Sequence, residues 1–155
     1  MSRSRTTPLG AVTKGLIAGA IGTGVMTAYQ LAAAKAMGSG PSNVPGEVGK
    51  RVIEGVFQRP VSDEEKAKLT NPVHALYGLS WGSLYGIVQA SLHPGSGRHG
   101  LSFGTAVWGA SLVQLPAMGL APPVWEMSPQ TIALDLSYHL VYGLGVAAGY
   151  AAIDR

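Results

Sequence analysis

Four long stretches of this chain carry almost no charged residue, and they constrain its fold more than any other feature. They run over residues 15–34, 71–92, 101–115 and about 130–153, with Asp135 as the one carboxylate inside the fourth. An α-helix needs roughly 20 apolar residues to cross the hydrocarbon core of a bilayer, where it satisfies its own backbone hydrogen bonds. The sequence therefore predicts an all-α fold, a bundle of four transmembrane helices.

The predicted organisation is a single integral membrane domain over residues 1–155. Its helices are expected at about residues 11–37, 72–92, 101–115 and 130–153, with a polar loop over 38–71. Apolar residues recur at helical spacing from Val48 to Phe57, which predicts a short amphipathic helix in that loop, either at the membrane surface or against the end of the bundle. Ser62 and Glu65 have capping-box spacing and predict another short helix, which stops before Asn71-Pro72.

Composition narrows the classes of function. Only 12% of the residues are charged, and the net charge of +3 comes without a basic cluster interleaved with aromatic residues, so no nucleic-acid partner is expected. The absence of cysteine excludes disulfides, thiolate metal sites, iron–sulfur clusters and covalently attached c-type haem. The chain contains no P-loop, dinucleotide fingerprint, nucleophile elbow or H-E-x-x-H motif, so an enzyme is not the leading expectation.

Small residues recur on one face of each predicted membrane helix. Glycines spaced by four lie on the same helix face, where another helix can approach closely, as in small-xxx-small packing within membranes. The predicted helix-packing residues, which form a glycine zipper, are Gly78, Gly82, Gly86, Gly100, Gly104, Gly145 and Gly149. These faces exceed what one compact bundle obviously needs and therefore indicate a homo-oligomer or a subunit of a larger membrane complex.

The two halves of the chain resemble each other. Residues 22–25 (GTGV) match 104–107 (GTAV), and residues 74–79 (HALYGL) match 139–144 (HLVYGL). Helices two apart in a four-helix bundle point the same way, so the matches predict a parallel internal repeat that relates helices 1 and 2 to helices 3 and 4. His74 and His139 are then expected at the same depth, facing each other.

Polar residues should gather at one end of the bundle, where helices 2 and 4 begin and helix 3 ends. The predicted cluster consists of His74, Tyr77, Gln114, Glu126, Asp135, His139 and Tyr142. Asp135 and His139 are four residues apart, hence on one helix face and able to pair. Two imidazoles there could ligate a haem or a divalent metal, which makes His74 and His139 the candidate ligands. The alternative, which the sequence favours, is that each histidine donates to a backbone carbonyl or a tyrosine hydroxyl and holds the helix ends together; no cofactor is favoured.

The chain resembles the YagU-like family of small bacterial inner-membrane proteins, whose function is uncharacterised. The resemblance rests on His74, Tyr77-Gly78, Tyr85-Gly86, Phe103-Gly104, Trp108, Pro116, Gly119-Leu120, Pro122, His139 and Tyr142-Gly143. Two departures concern the site: that family has a histidine within the third helix, where this chain has Gln114 nearby, and an acidic residue nearer the second histidine than Asp135. The resemblance implies an inner-membrane location and no established reaction.

The expected function is therefore that of a non-enzymatic, multi-pass inner-membrane protein that acts through helix–helix contacts. Its expected partners are the lipid bilayer and either further copies of the chain or other membrane subunits. The alternative is a small permease or channel that uses the histidine cluster, or a membrane protein that binds haem or metal through His74 and His139. Arg3, Arg5 and Lys14 lie before the first helix and favour a cytoplasmic N-terminus.

Overall fold

The computed structural model of the protein describes residues 7–40, 42–92 and 99–154. Within these ranges the chain is all-helical, with no strand, as predicted. Its α-helices are α1 (Pro8–Ala36), α2 (Val44–Phe57), α3 (Asp63–Leu92), α4 (Gly100–Ala117) and α5 (Pro129–Ile153), and a single 3-10 turn spans Val124–Glu126. Arg3 and Arg5, on which the predicted orientation partly rests, lie outside the described residues.

Local sequence signals account for where the helices begin. Thr7 caps α1 by accepting a hydrogen bond from the Gly10 amide, and Ser128 caps α5 by accepting one from the Thr131 amide. A proline follows each cap, where its missing N–H leaves no helical hydrogen bond unmade. The capping box at α3 is confirmed: Ser62 Oγ accepts from the Glu65 amide at 3.2 Å, and Glu65 Oε2 accepts from the Ser62 amide at 3.1 Å.

The predicted break before Pro72 is wrong, because α3 continues through it as one helix of 30 residues. Pro72 cannot donate to the carbonyl of Lys68, which normally ends or kinks a helix. Here α2 packs along the same segment. A Cβ placed on Gly46 would lie 2.6 Å from the Lys66 carbonyl oxygen, and one on Gly49 would lie 2.8 Å from a Val73 methyl. This close contact between helices holds α3 together across the lost hydrogen bond.

Glycines mark the lines along which the long helices touch. On the α1–α3 side, a Cβ at Gly19 would lie 2.7 Å from the Gly78 carbonyl oxygen and 3.0 Å from Gly82 Cα. On the α4–α5 side, a Cβ at Gly100 would lie 2.9 Å from the Gly143 carbonyl oxygen. Cβ atoms do not approach other atoms this closely, so only glycine fits at these positions.

The helix order around the interior follows from these contacts. α1 packs against α3 on one side and against α5 on the other, while α4 packs against α5 and α2 against α3. Between α1 and α5, a Cβ at Gly145 would lie 2.9 Å from Gly22 Cα, and one at Gly149 would lie 2.9 Å from Ile21 Cδ1. The fourth side, between α3 and α4, is built differently.

Aromatic rings fill the space between α3 and α4. Phe103 of α4 packs with its ring centroid 6.3 Å from that of Trp81 and 4.8 Å from that of Tyr85, both on α3. Tyr142 of α5 approaches the same ring at 5.9 Å, and Tyr150 approaches Tyr85 at 5.6 Å. Most of these rings meet at steep angles, the arrangement that aromatic pairs prefer. Bulky rings therefore keep α3 and α4 apart where glycines bring the other helix pairs together.

Two of the described helices, α1 and α5, are long and apolar enough to cross a membrane. About 39% of the apolar window in each helix is buried inside the structure. Much of the remainder faces outward, including the side chains of Leu16, Ile17 and Val25 on α1.

Candidate functional site

A cavity of about 210 Å³ lies at one end of the helix assembly, beside the aromatic rings. Its wall is formed by the C-terminal half of α1, the first turn of α2, the middle of α3, the last turns of α4 and the first half of α5. Apolar side chains form much of this wall, among them Met26, Val73, Val107, Leu115 and Met118. The cavity therefore has an apolar body into which a few polar groups converge, as small-molecule sites usually do.

Six of the seven residues in the predicted polar cluster line this cavity. They are His74, Tyr77, Gln114, Asp135, His139 and Tyr142. Glu126, the seventh, is exposed in the 3-10 turn and is not among the lining residues. Prolines between α4 and α5 keep this connection irregular. Glu126 therefore lies in an exposed turn and does not pack between the helices.

His139 is the more deeply buried of the two histidines of the site, with a residue exposure of 9%. Its Nδ1 lies 2.8 Å from the backbone carbonyl oxygen of Asp135. A carbonyl oxygen only accepts, so Nδ1 carries the hydrogen, and in the neutral imidazole Nε2 carries the free lone pair. No described residue donates a hydrogen bond to Nε2, which leaves it as an acceptor at the cavity.

The predicted pairing of Asp135 with His139 runs through the backbone rather than the carboxylate. Asp135 Oδ1 is 3.9 Å from His139 Nδ1, beyond hydrogen-bond distance. The carboxylate instead accepts a hydrogen bond from Trp108 Nε1 at 3.0 Å. Asp135 and His139 are four residues apart and share a helix face. His139 Nδ1 nevertheless bonds to the backbone carbonyl of Asp135, which is nearer than its carboxylate.

His74 lies on another part of the same wall, half-buried, with Nδ1 3.5 Å from Thr27 Oγ1. This contact is at the long limit of a hydrogen bond and leaves the tautomer of His74 open. The two histidines thus line one cavity from α3 and α5, but only His139 has the backbone bond that the structural alternative predicts for each of them.

Three hydroxyl groups on the wall donate to backbone carbonyls. Tyr142, with a residue exposure of 2%, donates to the Gly78 carbonyl at 2.6 Å and thereby ties α5 to α3. Ser111 donates to the Trp108 carbonyl at 2.7 Å, and Thr23 donates to the Gly19 carbonyl at 2.8 Å. Each oxygen keeps a lone pair but has no hydrogen left to offer a ligand.

The donor set does not assemble a metal site of the usual kind. Nowhere in the described ranges do three His, Asp or Glu side chains come together. The cavity volume also lies below the roughly 300–1,000 Å³ of pockets that hold drug-sized ligands, and a haem is larger than such ligands. The site is therefore suited to a smaller guest than the haem considered from the sequence.

Several wall residues were not singled out in the sequence. Thr23 and Ser111 carry hydrogen bonds at the wall, and Met26 and Met118 form part of its apolar side. The spacing of residues along each helix was the signal that could have placed them at the site. Ser111 precedes Gln114 by three residues and Asp135 precedes His139 by four, and these spacings put each pair on one helix face. Residues this common in membrane helices do not stand out without the partner helix.

Fold and site together define an all-helical protein with two apolar, membrane-length helices and a cavity at one end of their packing. The chain belongs to a family described as "Family of unknown function (DUF6789)", whose sequence profile matches residues 9–155. This match does not confirm the YagU-like resemblance or a bacterial origin. Comparisons with curated proteins and with solved structures found no match.

Proposed function

We propose that the protein is a multi-pass membrane protein in which α1, α3, α4 and α5 all cross the bilayer. Residues 72–92 of α3 and the whole of α4 carry no charged side chain. The other two helices, α1 and α5, are long and apolar enough to cross a membrane. Large apolar side chains face outward on these two helices as well, including Leu84, Ile87 and Val88 of α3 and Val113 of α4. Lipid is the environment that accepts such surfaces on every side of an assembly.

The absence of cysteine makes the topology directly testable. Single cysteines at Ser39 and Glu126 should react with a membrane-impermeant maleimide from one side of the membrane, and single cysteines at Thr7 and His99 from the other. With the predicted cytoplasmic N-terminus in a bacterial inner membrane, Ser39→Cys and Glu126→Cys would label in intact cells. Labelling of these two positions from opposite sides would contradict four spans.

The close contacts also support the proposed internal repeat. Gly78 packs against α1, where an added Cβ would lie 3.2 Å from Thr23 Cβ, and Gly143 packs against α4, where it would lie 2.6 Å from the Gly104 amide nitrogen. Both glycines directly follow the tyrosine of the repeated motif. In each half, the glycine after that tyrosine therefore serves as the contact point with the preceding long helix.

The function that the geometry supports best is reversible binding of a small molecule in the end cavity, for storage, sensing or passage across the membrane. The observation that carries this proposal is the Nε2 atom of His139, which receives no hydrogen bond from a described residue and lies on a residue that lines the largely apolar cavity. Tyr85 is the described residue with a fully buried, unpaired side-chain oxygen, so Nε2 of His139 is an accessible acceptor. An accessible acceptor at a largely apolar wall can take a hydrogen bond from a bound molecule.

A cavity-filling variant tests binding without knowledge of the natural ligand. An apolar cavity of about 150 Å³ binds benzene, so toluene is a suitable probe for this one. Toluene should raise the thermal midpoint of the purified wild-type protein, because a ligand that binds only the folded state stabilises it. Ser111→Leu should abolish the increase because Ser111 lines the cavity, whereas Ser102→Leu, on the exposed side of the same helix, should retain it. Equal increases in all three proteins would contradict binding at this site.

A role through helix–helix contacts, as a homo-oligomer or an accessory subunit, is the second candidate. The glycine faces predicted for that role all pack within the chain: Gly82 meets Gly19, Gly104 meets Leu140 and Gly149 meets Ala18. A different face stays open, namely the small residues Ala20, Gly24, Ala28 and Ala32 at four-residue spacing on the exposed side of α1. This spacing suits the close approach of a second membrane helix.

Gly24, on this open face, is therefore the position at which association can be tested. A Cβ at Gly24 would meet no atom within 4 Å, so Gly24→Leu should fold normally and reduce the mass of the detergent-purified complex to that of one chain. Val113→Ala is the control, because it also changes an exposed side chain of a long helix but lies on α4, away from the small-residue face, and it should leave the mass unchanged. An unaltered mass for Gly24→Leu would contradict association through this face.

A further inference from the structure

Four polar side chains of the cavity, which we call the inner wall, share one property: their hydrogens are already used. Thr23, Ser111 and Tyr142 donate to the backbone carbonyls of Gly19, Trp108 and Gly78, and His139 Nδ1 donates to that of Asp135. What these four side chains still present to a guest is lone pairs, at three hydroxyl oxygens and at His139 Nε2. The inner wall therefore recognises a guest that donates hydrogen bonds.

The charges around the cavity exclude an anionic guest. No lysine or arginine is among the lining residues within the described ranges. Asp135 is the one carboxylate on the wall. A carboxylate or phosphate guest would meet oxygen lone pairs and a negative charge, and it would find no cation to offset its desolvation.

A cationic guest is disfavoured at the inner wall for a geometric reason. The Asp135 carboxylate lies on the Nδ1 side of the His139 ring, with Oδ1 3.9 Å from Nδ1, and its side chain is 40% exposed. Nε2 is on the other side of the imidazole ring. An ammonium group at Nε2 would therefore sit away from the only carboxylate of the site, and a buried charge without a counter-charge is costly.

Size and wall chemistry define the rest of the guest. The cavity of about 210 Å³ exceeds the roughly 150 Å³ that accommodates benzene, so a single substituted ring fits. Met26 and Met118 line the apolar part, and thioether sulfur makes favourable contacts with aromatic rings.

We propose that the cavity binds a small neutral ring compound with a hydroxyl group, of the phenol class, whose O–H donates to His139 Nε2 while the ring packs against the apolar wall. This inference rests on the proposed binding function and adds the chemical class of the ligand. It assigns His139 as the residue that determines specificity and the apolar wall as the part that accepts any ring of suitable size.

The test compares three probes that share one ring: 4-methylphenol, toluene and benzoate. The full chain is placed in lipid nanodiscs with ¹³C-methyl methionine and ¹⁵N-histidine labels; it has five methionines and four histidines, so individual signals can be assigned. The Met26 and Met118 methyl signals report occupancy of the cavity, and the His139 Nε2 signal reports a hydrogen bond to that atom. His99, at the other end of the structure, is the internal control.

Both 4-methylphenol and toluene should shift the two methionine signals saturably, but only 4-methylphenol should shift His139 Nε2. At matched concentrations in the bilayer, 4-methylphenol should bind about five- to tenfold more tightly, which is the usual net contribution of one hydrogen bond. Benzoate should shift neither reporter.

The outcomes separate this inference from the function on which it rests. If toluene and 4-methylphenol bind equally and Nε2 does not shift, the ligand class is wrong while the binding function stands. If benzoate binds as well as 4-methylphenol, the ligand class is also wrong. If no probe shifts the methionine signals, the cavity does not bind ring compounds and both proposals fail.

Variants of His139 provide a second measurement. His139→Phe keeps a ring but has no acceptor, so it should bind toluene and lose the preference for 4-methylphenol. His139→Gln offers an amide that can both donate and accept, and it should restore part of that preference. Each comparison is made between two ligands on the same variant. A general loss of stability would weaken the binding of both ligands and would not change the preference between them. An unchanged preference in His139→Phe would overturn the assignment of His139.

Discussion

The contacts of α3 with α1 and with α4 show two ways in which neighbouring helices meet in this protein. Toward α1, α3 presents Gly78, Gly82 and Gly86, and the two backbones touch. Toward α4, it presents Trp81 and Tyr85, and ring centroids 4.8–6.3 Å apart separate the backbones. The first contact leaves no space for a guest, whereas the second widens toward the end cavity.

This difference explains why the candidate site lies where it does. Where glycines bring backbones together, helix packing gains dispersion contacts and excludes everything else. Where large side chains hold the helices apart, the space between them is filled by rings at one level and is left as a cavity at the next. His74 and His139 line the cavity at that second level.

The largest expected effect comes from Gly82→Leu in the close α1–α3 contact. A Cβ at position 82 would lie 2.7 Å from the Gly19 amide nitrogen, so the backbones must separate. We expect a loss of several kcal/mol, above the 1–3 kcal/mol typical of overpacked cores, since backbone cannot move aside as a side chain can. The midpoint of unfolding in mixed detergent measures this loss.

Gly109→Leu is the matched control, because it adds the same side chain to α4 where a Cβ meets nothing within 4 Å. Its unfolding midpoint should equal that of the wild type. Similar losses in both variants would mean that leucine acts through helix propensity or insertion rather than through the α1–α3 contact.

The next largest effect is expected from Phe103→Ala in the aromatic contact between α3 and α4. Phe103 packs against Trp81, Tyr85 and Tyr142 and is half-buried, so its removal should destabilise the fold by about 2 kcal/mol, below the 3–5 kcal/mol of fully buried phenylalanines. Thermal unfolding of the purified protein gives the value.

This variant should also enlarge the space between α3 and α4, so toluene should restore part of the lost stability. Leu101→Ala, which removes an outward-facing side chain from the same helix, should cost little and show no such rescue. A Phe103→Ala protein that toluene does not stabilise more than wild type would contradict the role of the ring as a spacer.

A smaller effect is expected from Tyr142→Phe, which removes the hydrogen bond from the Tyr142 hydroxyl to the Gly78 carbonyl at 2.6 Å. One such bond contributes about 1 kcal/mol. Tyr138→Phe is the control, because the Tyr138 hydroxyl has no hydrogen-bond partner among the described residues. Equal unfolding midpoints for the two variants would show that the bond across α3 and α5 contributes nothing measurable.

Periodic features of the sequence predicted much of this structure. The charge-free stretches located the long helices, glycine spacing predicted which faces touch, and the Ser62–Glu65 pattern predicted the start of α3. These signals are local, because each depends on residues within a few helical turns of one another. The repeated histidine motif predicted that His74 and His139 face each other at the same depth; both line the cavity, and their facing each other stays a prediction.

Features that depend on two or more helices together were not predicted. The break before Pro72 was expected because a proline normally ends a helix, and the packing of α2 against that segment overrides this preference. Asp135 was expected to pair with His139, but Trp108 from α4 binds its carboxylate. The cavity itself depends on Ser111, Met26 and Met118, which have no distinguishing pattern in the sequence.

The contact between α2 and α3 is a third kind, polar and outside the proposed spans, and it carries the smallest predicted effect. Lys66 Nζ lies 2.7 Å from Glu47 Oε1 and 3.1 Å from Asp63 Oδ1. Hydrogen bonding and charge attraction from Lys66 lower the pKa of the Asp63 carboxyl below its ordinary value of 3.8. The stabilisation is therefore fully present above pH 3.8 and is lost as the pH falls through the lowered pKa.

Asp63 is fully exposed, so solvent screens this interaction and the effect should be near the limit of detection. The thermal midpoint of the wild type should fall slightly more between about pH 5 and pH 3 than that of Asp63→Asn, which cannot titrate at this position. Gly82→Leu and Phe103→Ala should lower the midpoint at both pH values without changing that difference, because their contacts involve no carboxyl group. A fall of the same size in Asp63→Asn would assign the acid sensitivity to other carboxylates and leave the α2–α3 contact without an electrostatic contribution.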